Sequence, residues 1–170
     1  LIETLNAYRI KEKLPSNIGL FTSPIGKIEI LKEGNDITII SYGATLQIVL
    51  EASIELEKFN ISAEVIDIQS LIPFDTSNEI KTSINKTNRL IIVDEDMPGG
   101  GSAYILQQLL DHQKIYNILD SEPKLLSSKE HRPAYGTDGD YFSKPNTNDI
   151  FEEAYKLMNE SNPNKYPDIL

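Results

Sequence analysis

Three acids and three glycines stand together in Asp94-Glu95-Asp96-Met97-Pro98-Gly99-Gly100-Gly101-Ser102, after an apolar run that reads as a strand and before a run with helical spacing. In an open α/β sheet, the carboxyl ends of strands are where ligands bind. A glycine-rich turn ahead of a helix can cradle an anion with backbone N–H groups. Here, however, the Lys-Ser/Thr pair of a phosphate loop is missing, and three carboxylates would face the same anion. Carboxylates converging from neighbouring strand ends could instead hold Mg²⁺. The other strand ends supply Tyr42-Gly43 and Ser70-Leu71 and no acid, so the cluster reads as a structural turn whose glycines allow close helix packing.

His131 and Arg132 lie after the last predicted strand, beside Tyr135. A histidine there could act as acid or base, but no Ser, Cys or carboxylate partner stands at motif spacing, and a hydrogen-bonding loop role is expected. His112, between Asp111 and Gln113, reads as a solvated helix residue. Asp138-Gly139-Asp140 lacks the alternating oxygens and terminal Glu of a calcium loop and reads as a turn. The absence of cysteine excludes disulfides, thiolate metal sites and a cysteine nucleophile. No nucleophile, base and stabiliser of developing charge come together, so no catalytic, cofactor-binding or metal-binding residue is assigned.

The elements that must position these residues follow from periodicity. Residues 25–34 alternate apolar and charged side chains, as a half-solvated edge strand does. Four near-continuous apolar runs, 36–43, 64–71, 89–96 and 123–128, alternate with helical segments at 44–59, 75–86 and 102–119, the last with Ser102 as its expected N-cap. A final helix is expected over 149–159, opened by a capping box beginning at Asp149. Buried parallel strands joined by helices predict a three-layer α/β/α sandwich. Its sheet has about five strands, mostly parallel with one antiparallel edge strand. Residues 1–24 read as an interdomain connector, 25–160 as the domain, and 161–170 as a surface tail after two prolines end the helix.

Composition narrows the function. With 39% hydrophobic residues in 170, the chain can bury one ordinary core, and no apolar run approaches the length of a membrane span. The net charge of −10, from 16 Lys and Arg against 26 Asp and Glu, disfavours nucleic acid and favours basic partners. A cytoplasmic location is expected. Residues 130–146, EHRPAYGTDGDYFSKPN, pack Tyr135, Tyr141 and Phe142 into a segment with no regular period, which should be covered by something. Because the chain opens at Leu1 without an initiator Met, it is read as a piece of a larger protein.

Three stretches carry a resemblance: SPIGKIEILKEGNDITIISYGATLQIVLEAS, ISAEVIDIQSLIPFDTSNEI and KTNRLIIVDEDMPGGGSAYILQQLL. Their most specific pieces are the turn at residues 67–75 and the strand end Val93-Asp94-Glu95. From about Ser23 to Asn159 the chain resembles the transketolase-like C-terminal domain of thiamine-diphosphate-dependent 2-oxo acid dehydrogenases, in the beta-type part of their first component. Tyr8-Arg9 and Pro15 resemble the connector to the domain upstream. The 130–146 segment is closer to bacterial forms with fused alpha-like and beta-like halves.

The resemblance implies a parent oxidoreductase that decarboxylates a 2-oxo acid of the pyruvate, branched-chain or 2-oxoglutarate type and passes the acyl group to a lipoyl arm. It places thiamine diphosphate and Mg²⁺ on upstream domains, so the fragment by itself is expected to be inactive. The role implied for this domain is assembly, against the upstream domains and a two-fold mate, and docking of the peripheral binding domain of the acyltransferase component. His131, Arg132, Tyr135, Tyr141 and Phe142 are the expected interface residues. Two other readings stand beside it: a free-standing flavodoxin-like protein binding a nucleotide or flavin at the Asp94 turn, and the last domain of a transketolase-type enzyme.

Overall fold

A computed structural model describes residues 3, 8, 11, 13–132, 135, 136 and 138–169. Arg9 of the expected connector, Pro133, Ala134 and Thr137 of the 130–146 segment, and Leu170 of the tail lie outside the described residues. Five strands form one sheet: β1 (Glu29–Lys32), β2 (Ile37–Ser41), β3 (Ala63–Asp67), β4 (Leu90–Val93) and β5 (Lys124–Leu126). Their spatial order is β1-β3-β2-β4-β5, with β1 antiparallel to β3 and the other pairs parallel. This is the expected mostly parallel sheet with an antiparallel edge.

Alternation along the strands divides the apolar residues between two cores. Ile37, Ile39, Ala63, Val65, Ile91 and Val93 pack beneath α1 (Thr45–Glu57) and α5 (Thr147–Ser161). Their neighbours Ile40, Ile66, Leu90 and Ile92 face α2 (Glu79–Thr87) and α3 (Gly101–Gln107) on the other side. Every residue of β2 and β4 is buried, and each fully buried aliphatic side chain contributes about 1.5–3 kcal/mol. Two buried polar residues share the second face: Thr38, whose hydroxyl meets that of Thr87 at 2.7 Å, and Glu64, which pairs with Lys86 of α2.

Helix boundaries depart from the sequence reading where side chains reach backbone amides. Helix α2 starts at Glu79, not at residue 75. The buried Asp75 carboxylate caps it from outside, accepting from the amides of Glu79 (3.0 Å) and Ile80 (2.9 Å). Helix α5 starts at Thr147, ahead of the expected 149, because Asn146 is the N-cap and its side chain accepts from Asn148 (2.9 Å) and Asp149 (3.1 Å). Asp149 closes the box by accepting from the Asn146 amide at 3.0 Å.

The helix expected over 102–119 is broken. After Gln107 the chain makes a π turn over Gln108–His112, passes Lys114 at φ 58°, and forms a 3₁₀ turn at Ile115–Asn117. The break is anchored by Gln113, whose side-chain amide donates to buried Asp75 at 2.8 Å, while Ile115 turns into the core. His112 is exposed, as expected, but on the π turn.

The 161–170 tail is not wholly a surface segment. Helix α5 ends at Ser161 as the prolines require, yet Tyr166 is 2% exposed and its ring meets Tyr155 at 6.4 Å. Asn159 Nδ2 donates to the Tyr166 carbonyl at 2.6 Å and Tyr155 Oη to that of Pro167 at 2.8 Å. Phe59, Phe151 and Tyr155 extend this aromatic cluster and pin α5 to the end of α1.

Candidate functional site

At the carboxyl ends of β2 and β4 the Asp94 turn is closed on itself. Asp94 is buried, and its Oδ1 accepts from Tyr42 Oη at 2.7 Å and from the Asp96 amide at 3.0 Å. Its Oδ2 accepts from the Ser102 amide at 2.8 Å. Ser102 is therefore not the N-cap expected of it. Gly100 takes that position, and Ser102 instead presents an amide from the first turn of α3 to Asp94. The anion site that a helix N-terminus offers is filled by the chain's own carboxylate.

The glycines explain how. A Cβ on Gly101 would collide with the hydrogen-bonded Tyr42 Oη, whereas one on Gly100 would meet the Asp96 carboxylate, which is exposed and would have to move aside. Gly99 has φ +90°, where an L side chain is strained. Burial, the hydrogen bond to Asp94, and the surrounding charges of Asp94, Asp96 and Glu95 hold the Tyr42 phenol well above its usual range. Nearby, burial raises the Asp67 carboxyl, the Gln69 amide opposes the shift, and Glu29 across the β1–β3 pair adds to it.

Among the described residues, no group of three or more His, Asp or Glu is placed to hold a metal ion. Thiamine diphosphate and Mg²⁺, which the resemblance implies for the parent, do not fit the turn: Asp94 is saturated, and the space a phosphate would need against Gly100 and Gly101 is taken. What the carboxyl end does present is apolar. Ile72 is 83% exposed in the turn between β3 and α2, and Ile25 and Met97 are also exposed. The Thr76 amide donates to the Gly26 carbonyl at 2.9 Å, which ties the turn carrying Ile72 to the segment carrying Ile25. These residues were missed by the sequence reading, although Ile72 lies inside the turn that carries the family resemblance.

The five expected interface residues are all exposed, but they form separate groups. Arg132 lies over the Tyr135 ring at 5.1 Å, and Tyr135 is 86% exposed. His131 meets the Phe142 ring at 5.8 Å, Lys129 Nζ sits over the same Phe142 ring at 3.6 Å, and His131 Nδ1 lies 2.9 Å from the Arg132 carbonyl. Tyr141 Oη accepts from Asn148 Nδ2 at 3.0 Å. Tyr141 and Phe142, each 59% exposed, belong to α4 (Gly139–Ser143), a one-turn helix where the sequence reading had no regular element and only a turn at Asp138-Gly139-Asp140. The Phe142 amide donates to the Asp138 carbonyl at 3.0 Å, so that turn is the start of the helix.

Tyr141 and Phe142 also border a groove of about 500 Å³ between the outer edge of β5 and the first turns of α5. Leu126, Ser127 and Ser143 form its inner side, and Asp149, Glu152 and Glu153 its α5 wall.

Comparison with known proteins places these features in a family. Residues 26–140 match the family described as "Transketolase, C-terminal domain". Over 157 residues the chain is 34% identical to a pyruvate dehydrogenase E1 component subunit beta from Mesostigma viride, covering 92% of this chain and 47% of that protein. Over 131 residues it is 37% identical to the beta subunit of the acetoin:2,6-dichlorophenolindophenol oxidoreductase of Bacillus subtilis (strain 168), covering 77% of this chain and 37% of that one. The chain thus spans less than half the length of these relatives. Two solved structures share the fold: a split-gene transketolase (TM-score 0.62, 22% identity, 80% of this chain and 43% of that one) and a transketolase mutant from Pichia stipitis (TM-score 0.56, 14% identity, 85% and 20%). The family match covers most of the chain and the five-stranded sheet with its helices agrees with it, so the chain belongs to the transketolase C-terminal domain family.

Proposed function

We propose that the chain acts as the assembly and docking domain of a thiamine-diphosphate-dependent 2-oxo acid dehydrogenase, whose upstream domains carry the cofactor and the chemistry. The observation that carries this reading is the contrast between an Asp94 turn closed by the chain's own donors and the exposed apolar and aromatic side chains of Ile72, Met97, Tyr135, Tyr141 and Phe142. A cofactor site needs free donors, whereas a covered interface needs exposed apolar and aromatic side chains. The connector adds to that surface with Leu14, Ile18, Leu20 and Phe21, all exposed. In this reading residues 1–24 are the connector, 25–160 the domain and 161–170 the tail, although Tyr166 ties the tail to the core.

The upstream domains and a two-fold mate cover the apolar surface, and the basic peripheral binding domain of the acyltransferase component docks on the acidic exterior. The parent is cytoplasmic; among the described residues no helix is long and apolar enough to cross a membrane. The curated relatives favour a 2-oxo acid dehydrogenase over the transketolase-type alternative. A nucleotide or flavin at the Asp94 turn has the geometry against it, and melting of the protein unchanged by nucleotides or flavin is the expected outcome. The assembly role is tested by Tyr141→Ser in the full-length enzyme: weaker dimers in sedimentation are expected, and an unchanged profile with unchanged activity discards it. Docking steered by charge should show an association rate that falls steeply with salt.

A further inference from the structure

The edge of the sheet at β5 offers main-chain groups with no backbone partner among the described residues. In a parallel ladder, successive residues turn their amide and carbonyl groups to opposite sides of the strand. The Asp94 amide donates to the Leu126 carbonyl and the Ser128 amide to that of Asp96, both at 2.9 Å, so residues 126 and 128 face β4. Leu125 and Ser127 therefore face outward, and no backbone partner is found for either among the described residues. Only beyond them does the chain cover its own edge, where the Lys129 amide donates to the Ser143 carbonyl at 2.9 Å. The open stretch leads into the groove of about 500 Å³, which Ser127 lines and Tyr141 and Phe142 border. Ser143 lines the same groove at 3% exposure, and its hydroxyl has no hydrogen-bond partner among the described residues.

Charge selects the occupant. On the basic side, Lys144 is already paired with Glu95 at 3.2 Å and Asp140 at 3.8 Å, and Lys129 is held over the Phe142 ring. On the α5 wall, Asp149 is committed to its capping box and Glu153 to Lys156, but Glu152 is exposed and has no ion pair among the described residues. The groove lining carries Lys129 and Lys144 against Asp149, Glu152 and Glu153, so its net charge is negative. Two copies joined edge to edge would bring two such acidic grooves together on chains of net charge −10, which argues for a different partner.

We propose that the outer edge of β5, between α4 and the first turns of α5, is a strand-addition site for an extended basic peptide segment of a separate chain. Leu125 and Ser127 supply the main-chain bonds, Tyr141 and Phe142 pack on alternate side chains, and Glu152 takes a Lys or Arg. The proposal rests on reading Tyr141 and Phe142 as contact residues and adds the kind of segment they contact.

The test measures binding to the full chain by fluorescence anisotropy, with amide chemical-shift mapping. The probe is a labelled alternating Lys-Val peptide, compared with its Glu-Val counterpart and with a Lys-Val peptide N-methylated on the residues that would bond β5. Binding of the Lys-Val peptide is expected, with shifts at Leu125, Ser127 and Phe142. N-methylation should weaken it at least about tenfold, and Glu152→Lys by about fivefold. Equal binding of the N-methylated peptide reduces the effect to charge alone and overturns the proposal. So do shifts that map away from β5, no binding of the Lys-Val peptide, or self-association of the chain through this edge. The peptide comparison uses unaltered protein, so it decides the matter even if an edge variant such as Leu125→Pro fails to fold. Because it reads peptide binding and not dimer sedimentation, its failure is distinguishable from failure of the assembly role.

Discussion

Asp94 shows how one side chain can look catalytic and be structural. A carboxylate at a strand end beside glycines and a helix is the arrangement of many ligand sites, but all its hydrogen bonds here return to the chain: Tyr42, Asp96 and Ser102. The Tyr42 hydroxyl is only half-buried, so Tyr42→Phe should cost about 1 kcal/mol at neutral pH, measured by urea denaturation. Its pH dependence has a definite sign. The folded phenol ionises above its usual range, so the unfolded chain releases the Tyr42 proton first. The stabilisation is therefore complete below pH of about 10 and declines as pH rises above it. Tyr42→Phe should remove that part of the alkaline decline; a variant that loses stability above this pH as steeply as the parent would show that the hydrogen bond is not the cause.

At the scale of elements, the strands and core helices were legible because two-residue and 3.6-residue apolar periods are written directly in Ile-rich runs. The boundaries were not, because caps work through side chains placed by the tertiary fold. Asp75 caps α2 only because Gln113, distant in sequence, holds its carboxylate in place. Removing it strands two helix amides and the Gln113 amide, so Asp75→Ala is expected to cost about 2–3 kcal/mol. Asn146→Ala removes one exposed capping box and should cost about 1 kcal/mol. Thermal or urea unfolding of the pair gives the order; an Asn146 variant less stable than the Asp75 variant would contradict the assignment of Asp75 as a buried cap.

At the scale of the whole molecule, the described residues join two cores through one sheet, and the tail closes one of them. Tyr166 is buried against Tyr155, and its carbonyl and that of Pro167 are bonded to α5. Tyr166→Ala should lower stability by about 3 kcal/mol, as for loss of other buried aromatic rings, seen as a shift of the urea midpoint; a surface tail would give no shift. The same closed architecture leaves carboxyl-end apolar residues such as Ile72 and Met97 exposed, the kind of surface that the proposed assembly would cover.

By itself, the sequence determined the layers of the fold, the antiparallel edge strand and the family. Apolar periodicity fixes which faces are buried, and the turn at residues 67–75 is specific enough to carry the resemblance. It also pointed to Tyr141 and Phe142 as surface aromatics. The tertiary structure alone decided that Asp94 is saturated, that α3 breaks at Gln108–His112, and that Tyr166 belongs to the core. It also decided that Ser127 lines an open groove beside the outward edge of β5. Each of these depends on a partner far away in sequence, and a hydrogen bond or a buried ring has no local period for the sequence to display.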